Sequence, residues 1–259
     1  MSRVSRAWCA TLLIAGAACS DLTTVPGGPQ SLAIDSLPFP AVVVGDTLRD
    51  TLGIVRALSA RVYDGANQLI PGAPVRFVAL DTGVALDSLT GRLVGINRRT
   101  SVRLVASVNS LQTLAKSIGV SNRPDTGSNP DPLRRLVYVT VPRNDPANSY
   151  SLRVRVGSLP LVAGTSSDSV VEGWLVKFQL TRLPSSVVDS TLLTAGVSNS
   201  PWAVTDGSGI ASKTLRVVPK LGSRTKDTAV VQASVTYRGA HVRGSPVTIV
   251  VPLAARDSL

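Results

Sequence analysis

Apolar and polar residues alternate with a period of two through much of this chain. Leu58, Ala60 and Val62 fall on one side of an extended segment, and Ser59, Arg61 and Tyr63 on the other. A half-buried strand needs this pattern, because its successive side chains point to opposite faces. Asp64-Gly65 then breaks the run with turn chemistry: Gly takes φ > 0 at no steric cost, and Asp bonds its own backbone. Pro71-Gly72-Ala73-Pro74 makes a second corner, after which Val75, Phe77 and Ala79 resume the alternation. Strands are thus predicted at Val55–Tyr63 and Val75–Leu80, and by the same reading at Leu32–Ile34, Ala41–Val44, Val84–Leu86, Gly91–Gly95, Ser101–Asn109 and Leu114–Val120. A second series is predicted at Val137–Val141, Leu152–Val156, Trp174–Phe178, Leu215–Val217, Val231–Tyr237 and Val247–Val251. No 3.6-residue period occurs outside the N-terminal stretch, so the expected fold class is all-β.

Short strands separated by frequent turn signals read as sandwiches, and 259 residues leave room for two. The first is expected over 31–121 and the second over 135–253. Between them, 122–134 carries Pro124, Pro130 and Pro132 among Asn and Asp, with Leu133 its one large apolar residue. That composition predicts a linker with nothing to bury, two domains that melt independently, and first proteolytic cleavage in the segment. Aromatic residues make up only 4% of the chain, so the cores must be built from Val, Leu, Ile and Ala. Phe77 and Phe178 each close a Val-basic-Phe string and are expected in matching core positions. Trp174 shares a face with Val176 and Phe178 and is expected to be buried with them.

The first 18 residues follow a different logic. Arg3 and Arg6 precede an apolar run from Ala7 to Ala18. That run is too short to cross ~30 Å of hydrocarbon at ~1.5 Å per residue, which makes 1–18 a signal peptide and not a spanning helix. The two cysteines are Cys9, inside the run, and Cys19, directly after it. Loss of the leader leaves Cys19 alone, with no intramolecular disulfide to staple the fold. Residues 19–30 are polar and rich in Pro and Gly, a tether.

Several strings resemble known families. Gly16-Ala17-Ala18-Cys19-Ser20 is similar to the lipobox of bacterial lipoproteins, although Gly16 stands where a large aliphatic residue is usual. The resemblance implies that Cys19 is acylated and becomes the mature N-terminus, anchoring the protein in a membrane. Ser20 then points to the outer membrane of the cell envelope; an ordinary signal cleaved near Ala17 or Ala18, giving a secreted or periplasmic protein, is the alternative. Val62-Tyr63-Asp64 through Phe77, Val44-Gly45-Asp46-Thr47 and Gly91–Gly95 resemble bacterial Ig-like domains of group 2. Thr205-Asp206-Gly207-Ser208-Gly209-Ile210-Ala211-Ser212 resembles a hairpin of the invasin/intimin group 1 domains. Together these imply two tandem Ig-like β-sandwiches in a structural or adhesive envelope protein.

Charge and candidate chemistry change this picture little. The formal net charge is +11, yet the positive residues are spread singly (Arg153, Arg155, Lys177, Arg216, Arg238) and no run of them is interleaved with aromatics, which argues against nucleic acid. Acidic polysaccharide, anionic headgroups or an envelope protein are the partners such a surface suits. The single histidine, His241, sits among cationic neighbours, and no G-x-S-x-G elbow exists. One His and one mature Cys do not make a zinc site. Asp206-Gly207-Ser208-Gly209 lacks the ligand string of a calcium loop and reads as a turn. No cofactor is expected and no catalytic residue is assigned. Trp202 remains the candidate ligand contact, as a stacking platform for a sugar or peptide, with packing against the following strand as its alternative.

Overall fold

A computed structural model of the chain describes residues 28–131, 148–159, 169–185, 187–194, 197–198, 200–219 and 227–253. Among them are strands and turns and no helix, so the all-β expectation holds. The leader 1–18, Cys19, most of the tether and the strand expected at Val137–Val141 lie outside the described residues.

The first sandwich holds β1 (Ser31–Ile34), β2 (Ala41–Val43), β3 (Ala60–Tyr63), β4 (Arg76–Ala79), β5 (Val84–Leu86), β6 (Leu93–Gly95), β7 (Arg99–Val108), β8 (Leu111–Gln112) and β9 (Lys116–Ser121). One sheet runs β2-β9-β7-β4 with β8 folded back on β7, while β1 pairs β3 and β5 pairs β6. The register sets Phe77 beside Ala106 and Val102 beside Ile118. The pleat therefore carries Phe77, Val102, Leu104, Ala106, Ile118 and Val120 into one core with Ile34, Leu48, Leu58 and Leu93. Strand β2 departs from the antiparallel rule: it lies parallel to β9, Ala41 opposite Gly119 and Val43 opposite Ser121.

Two expected strand starts move. The strand expected from Val55 begins at Ala60, because the Asp50 carboxylate accepts the N–H groups of Leu52 and Ile54 and folds that stretch into a loop. The strand expected from Leu114 begins at Lys116. Thr113 closes the preceding hairpin on Ala106 through both its N–H and Oγ1, which leaves Leu114 93% exposed.

The second sandwich holds β10 (Thr126–Ser128), β11 (Asn148–Ser158), β12 (Ser169–Val170), β13 (Leu175–Arg182), β14 (Val187–Thr194), β15 (Val197–Ser198), β16 (Trp202–Val204), β17 (Ile210–Pro219), β18 (Asp227–Ser234), β19 (Thr236–Tyr237), β20 (Ala240–His241) and β21 (Val247–Leu253). One sheet runs β10-β11-β17-β14-β15, the other β16-β13-β18-β21, and β19 with β20 makes a hairpin. In chain order, β10-β11-β17-β14 is the A-B-E-D sheet of an immunoglobulin-like sandwich and β13-β18-β21 its C-F-G sheet, with β16 added at the edge. Leu152, Val154, Val156, Leu215 and Val217 from the first sheet and Val176, Phe178, Val231, Ala233 and Val251 from the second fill the interior.

This topology corrects the reading of 122–134 as a linker. Thr126 pairs with Gly157 and Ser128 with Arg155, so part of the segment is the first strand of the second sandwich. Its other side is bonded too: Gly127 N–H donates to the Arg243 carbonyl and Arg243 N–H to that of Asp125. Gly127 is buried, against Val235. Backbone bonding, not side-chain burial, holds this stretch in place.

Candidate functional site

The most elaborate polar cluster lies where the two sandwiches meet, and it is built around Asp46. The turn after β2 places this carboxylate with its side chain only 7% exposed. Thr47 N–H and Arg49 Nη2 donate to its Oδ1 at 2.8 and 3.1 Å, and Arg49 Nε to its Oδ2 at 3.0 Å. Two more donors come from the other sandwich: Tyr237 Oη at 2.7 Å and Arg238 Nε at 3.0 Å, both to Oδ2. A carboxylate this enclosed is stable only when its lone pairs are filled, and charge-assisted bonds of this kind are the strong ones.

The hairpin that supplies Tyr237 and Arg238 turns through Arg238 and Gly239, with φ of 51° and 80°. Two consecutive positive φ values mark a type I′ turn, where Asn-Gly is the usual choice and a bulky L-residue costs roughly 1–2 kcal/mol. Arginine occupies the strained position here because from it the guanidinium reaches Asp46 and lies 5.3 Å from the Tyr237 ring centroid. Gly53 of the first sandwich, at φ 84°, packs directly on this turn: a β-carbon there would overlap the Arg238–Gly239 backbone. Beside the turn, Trp174 is 5% exposed as expected, but its partners are not only its own core. Its ring centroid is 4.6 Å from that of Phe39 in the first sandwich and 6.1 Å from that of Tyr237. Its Nε1 donates to the Thr236 carbonyl.

Burial opposes ionisation of Asp46, but the bonds from Arg49, Arg238, Tyr237 and Thr47 outweigh it and hold the carboxyl far below the usual range. Burial, reinforced by Asp46, pushes the Tyr237 phenol up to about 12. Neither group gives or takes a proton near neutrality, so the cluster is suited to fastening and not to acid–base catalysis. The pH dependence has a definite sign. A depressed Asp contributes stability above its unfolded pKa and loses it as pH falls toward the folded value; a raised Tyr contributes below its unfolded pKa and loses it as pH rises. The junction's contribution should therefore be flat from about pH 4 to about pH 10 and fade outside that window, measured as urea midpoint against pH.

Elsewhere the acidic residues are occupied by turns or by arginines, as Asp35 is by Arg61 and Asp81 by Arg103. Asp206 accepts the N–H groups of Ser208 and Ile210, so a tight turn stands here as expected. It is not a hairpin, however: it joins β16 to β17, which lie in different sheets, and so crosses from one face of the sandwich to the other. Asp64 accepts the N–H groups of Ala66 and Gln68, and Asp87 those of Leu89 and Thr90. Among the described residues, no three of His, Cys, Asp and Glu gather closely enough to hold a metal ion. His241 is exposed, with Nδ1 3.3 Å from Ser245 Oγ. Of the residues singled out from the sequence, Cys19 lies outside the described residues. Trp202 stands on the edge strand β16, partly buried, with the Lys177 ammonium 5.9 Å from its ring centroid. A groove of about 280 Å³ opens between the sandwiches, lined in part by Arg99, Ser117, Glu172 and Val204. Nothing in the sequence signals the Asp46 cluster: Val44–Thr47 reads as a corner and Arg238 as one of the scattered cations.

No protein-family profile and no curated protein matches this sequence. Among solved structures, the chain is similar to domains 1–6 of the surface layer protein SbsC, at 11% identity over 89% of this chain and 28% of that one, with a TM-score of 0.32. It is similar to the Yersinia pseudotuberculosis adhesin InvE at 15% identity over 86% of this chain and 58% of that one, with a TM-score of 0.34. A tandem pair of titin Ig domains aligns at 12% identity over 90% of this chain and all of its own length, with a TM-score of 0.25. The chain spans less than two thirds of the surface-layer and adhesin chains. At these identities and scores none of the likenesses assigns it to a family.

Proposed function

We propose that this protein is a lipid-anchored, non-catalytic module of the bacterial cell envelope whose two sandwiches, a group 2-like and then an invasin/intimin-like domain, act as one stiff spacer for structural or adhesive contacts. The observation that carries the reading is the Asp46 junction. A flexible pair of domains has no use for a buried carboxylate with five donors drawn from both sides, nor for a strained Arg in the turn that reaches it. A stiff pair holds its far loops at a fixed distance from whatever anchors its near end.

The address rests on residues 1–20: the Arg3/Arg6 start, the short apolar run and the small residues before Cys19. A single acyl chain holds a protein marginally, whereas two or more make release negligible, so acylation at Cys19 would anchor the protein without a spanning segment, and Ser20 is what points to the outer membrane. No helix among the described residues is long and apolar enough to cross a membrane. Cys19→Ser should abolish metabolic palmitate labelling and shift the protein from the membrane fraction to precursor or soluble material, while Cys9→Ser should change neither. An unlabelled, soluble wild-type protein would replace this address with a secreted one.

A further inference from the structure

We propose that the outer face of the β16-β13-β18-β21 sheet, continued by the groove between the sandwiches, binds an acidic polysaccharide. This deepens the spacer reading by giving the displayed surface a ligand. The registers set Lys177 between Trp202 and Ser234, and Gln232 between Gln179 and Thr248. The alternate positions, Val176, Phe178, Val231 and Ala233, are buried in the core. The first set therefore stands together on the outer face. Lys177, Gln179 and Thr248 are exposed, and Gln232, Ser234 and Trp202 partly so.

The chemistry of this face is selective. Amides and hydroxyls both donate and accept, which matches the hydroxyls of a sugar polymer. An indole adds a flat apolar surface. The outward positions of these four strands hold no carboxylate among the described residues; Asp227, at the end of β18, lies opposite the inward Leu253 and reaches the edge of the face only to pair, at 3.8 Å, with Arg182 opposite Val230. Lys177 thus presents its charge without a competing anion on the face, in a chain of net charge +11. Val204, on the same side of β16 as Trp202, carries the surface into the groove, where Arg99 and Glu172 contribute one charge of each sign. Arg99 is also 3.9 Å from Asp81. A nucleic acid would need several cations at phosphate spacing, and an anionic bilayer a basic cluster. A flat, hydroxyl-matching face with one ammonium, and at its edge a guanidinium already paired with Asp227, fits a sparsely charged sugar chain better than either.

The test is affinity electrophoresis of the full chain in mild detergent through gels containing polygalacturonate or dextran, with flotation on phosphatidylglycerol vesicles in parallel. Polygalacturonate should retard the protein and dextran should not. Lys177→Glu, at an exposed position, should weaken retardation about tenfold or more. Trp202→Ala should weaken it and Trp202→Phe largely restore it, with melting temperatures recorded for every variant. Arg155→Glu, on the outer face of the opposite sheet, should leave it unchanged. Equal retardation of the parent and Lys177→Glu, equal weakening by Arg155→Glu, retardation by dextran, or Lys177-dependent binding to vesicles alone would each overturn the proposal. Palmitate labelling and the melting behaviour of the junction are read separately, so loss of the polysaccharide site would leave the spacer reading standing.

Discussion

Replacing Trp174 by alanine is expected to split one thermal transition into two. The indole is almost wholly buried, and its neighbours come from both sandwiches: Tyr237 and Thr236 on its own side, Phe39 at 4.6 Å on the other. Truncating a buried tryptophan costs about 3–5 kcal/mol, through lost transfer energy and the cavity left behind. Here the loss includes the hydrogen bond to Thr236, which lies at the base of the hairpin that carries Tyr237 and Arg238 to Asp46. The single substitution thus lowers the stability of the second sandwich and loosens its hold on the first. Scanning calorimetry of the full chain should show one cooperative transition in the parent and two in Trp174→Ala, the lower belonging to the second sandwich. Trp174→Phe, which keeps a ring against Phe39, should remain closer to the parent. Two well-separated transitions in the parent would mean that the junction does not couple the sandwiches, as the composition of 122–134 alone would suggest.

Phe178→Ala should be the most damaging change within one core. Its ring is 0% exposed and the register sets it beside Ala233 on β18, a small residue that cannot move in to fill the space. A cost of about 3–5 kcal/mol is a large part of the 5–15 kcal/mol that a domain ordinarily has. Urea titration should show a midpoint shift of that size with an unchanged slope. Phe77→Ala, at 6% exposure in the first sandwich, should behave alike in that domain. A shift below about 1 kcal/mol at either site would remove these residues from the core.

Much of the fold was legible in the chain because strands advertise themselves by alternation. Val102, Leu104, Ala106 and Val108 on β7, and Val231 and Ala233 on β18, lie inward as their spacing requires. The failures have physical causes. Alternation predicts β17 only from Leu215 although it begins at Ile210, because Lys213 occupies an inward position between Ala211 and Leu215 and interrupts the pattern. Its stem is buried, its ammonium reaches the Ser200 carbonyl, and burial pushes its pKa down. Thr126–Ser128 contains no apolar side chain to signal a strand, and only its hydrogen bonds make it one. The junction was hidden for another reason. Asp46 and Arg238 are 192 positions apart, and each alone reads as an ordinary surface charge. Trp202 and Lys177 were both visible in the sequence, but only the register of β13 and β16 makes them neighbours.

The parallel pairing of β2 with β9 has a mechanical meaning. The first sandwich is entered at β1, which pairs antiparallel with β3, and left at the end of β9. Once β1 is drawn off, tension along the chain pulls the adjacent β2 and β9 in opposite directions along their common axis. Inter-strand hydrogen bonds in that geometry are loaded in shear and must yield together. In an antiparallel hairpin pulled from its open end they would peel apart one at a time. Val44 N–H to the Ser121 carbonyl and Gly119 N–H to that of Pro40 bracket the sheared patch. The β2–β9 pair is therefore the part of the first sandwich placed to resist stretching by an attached load.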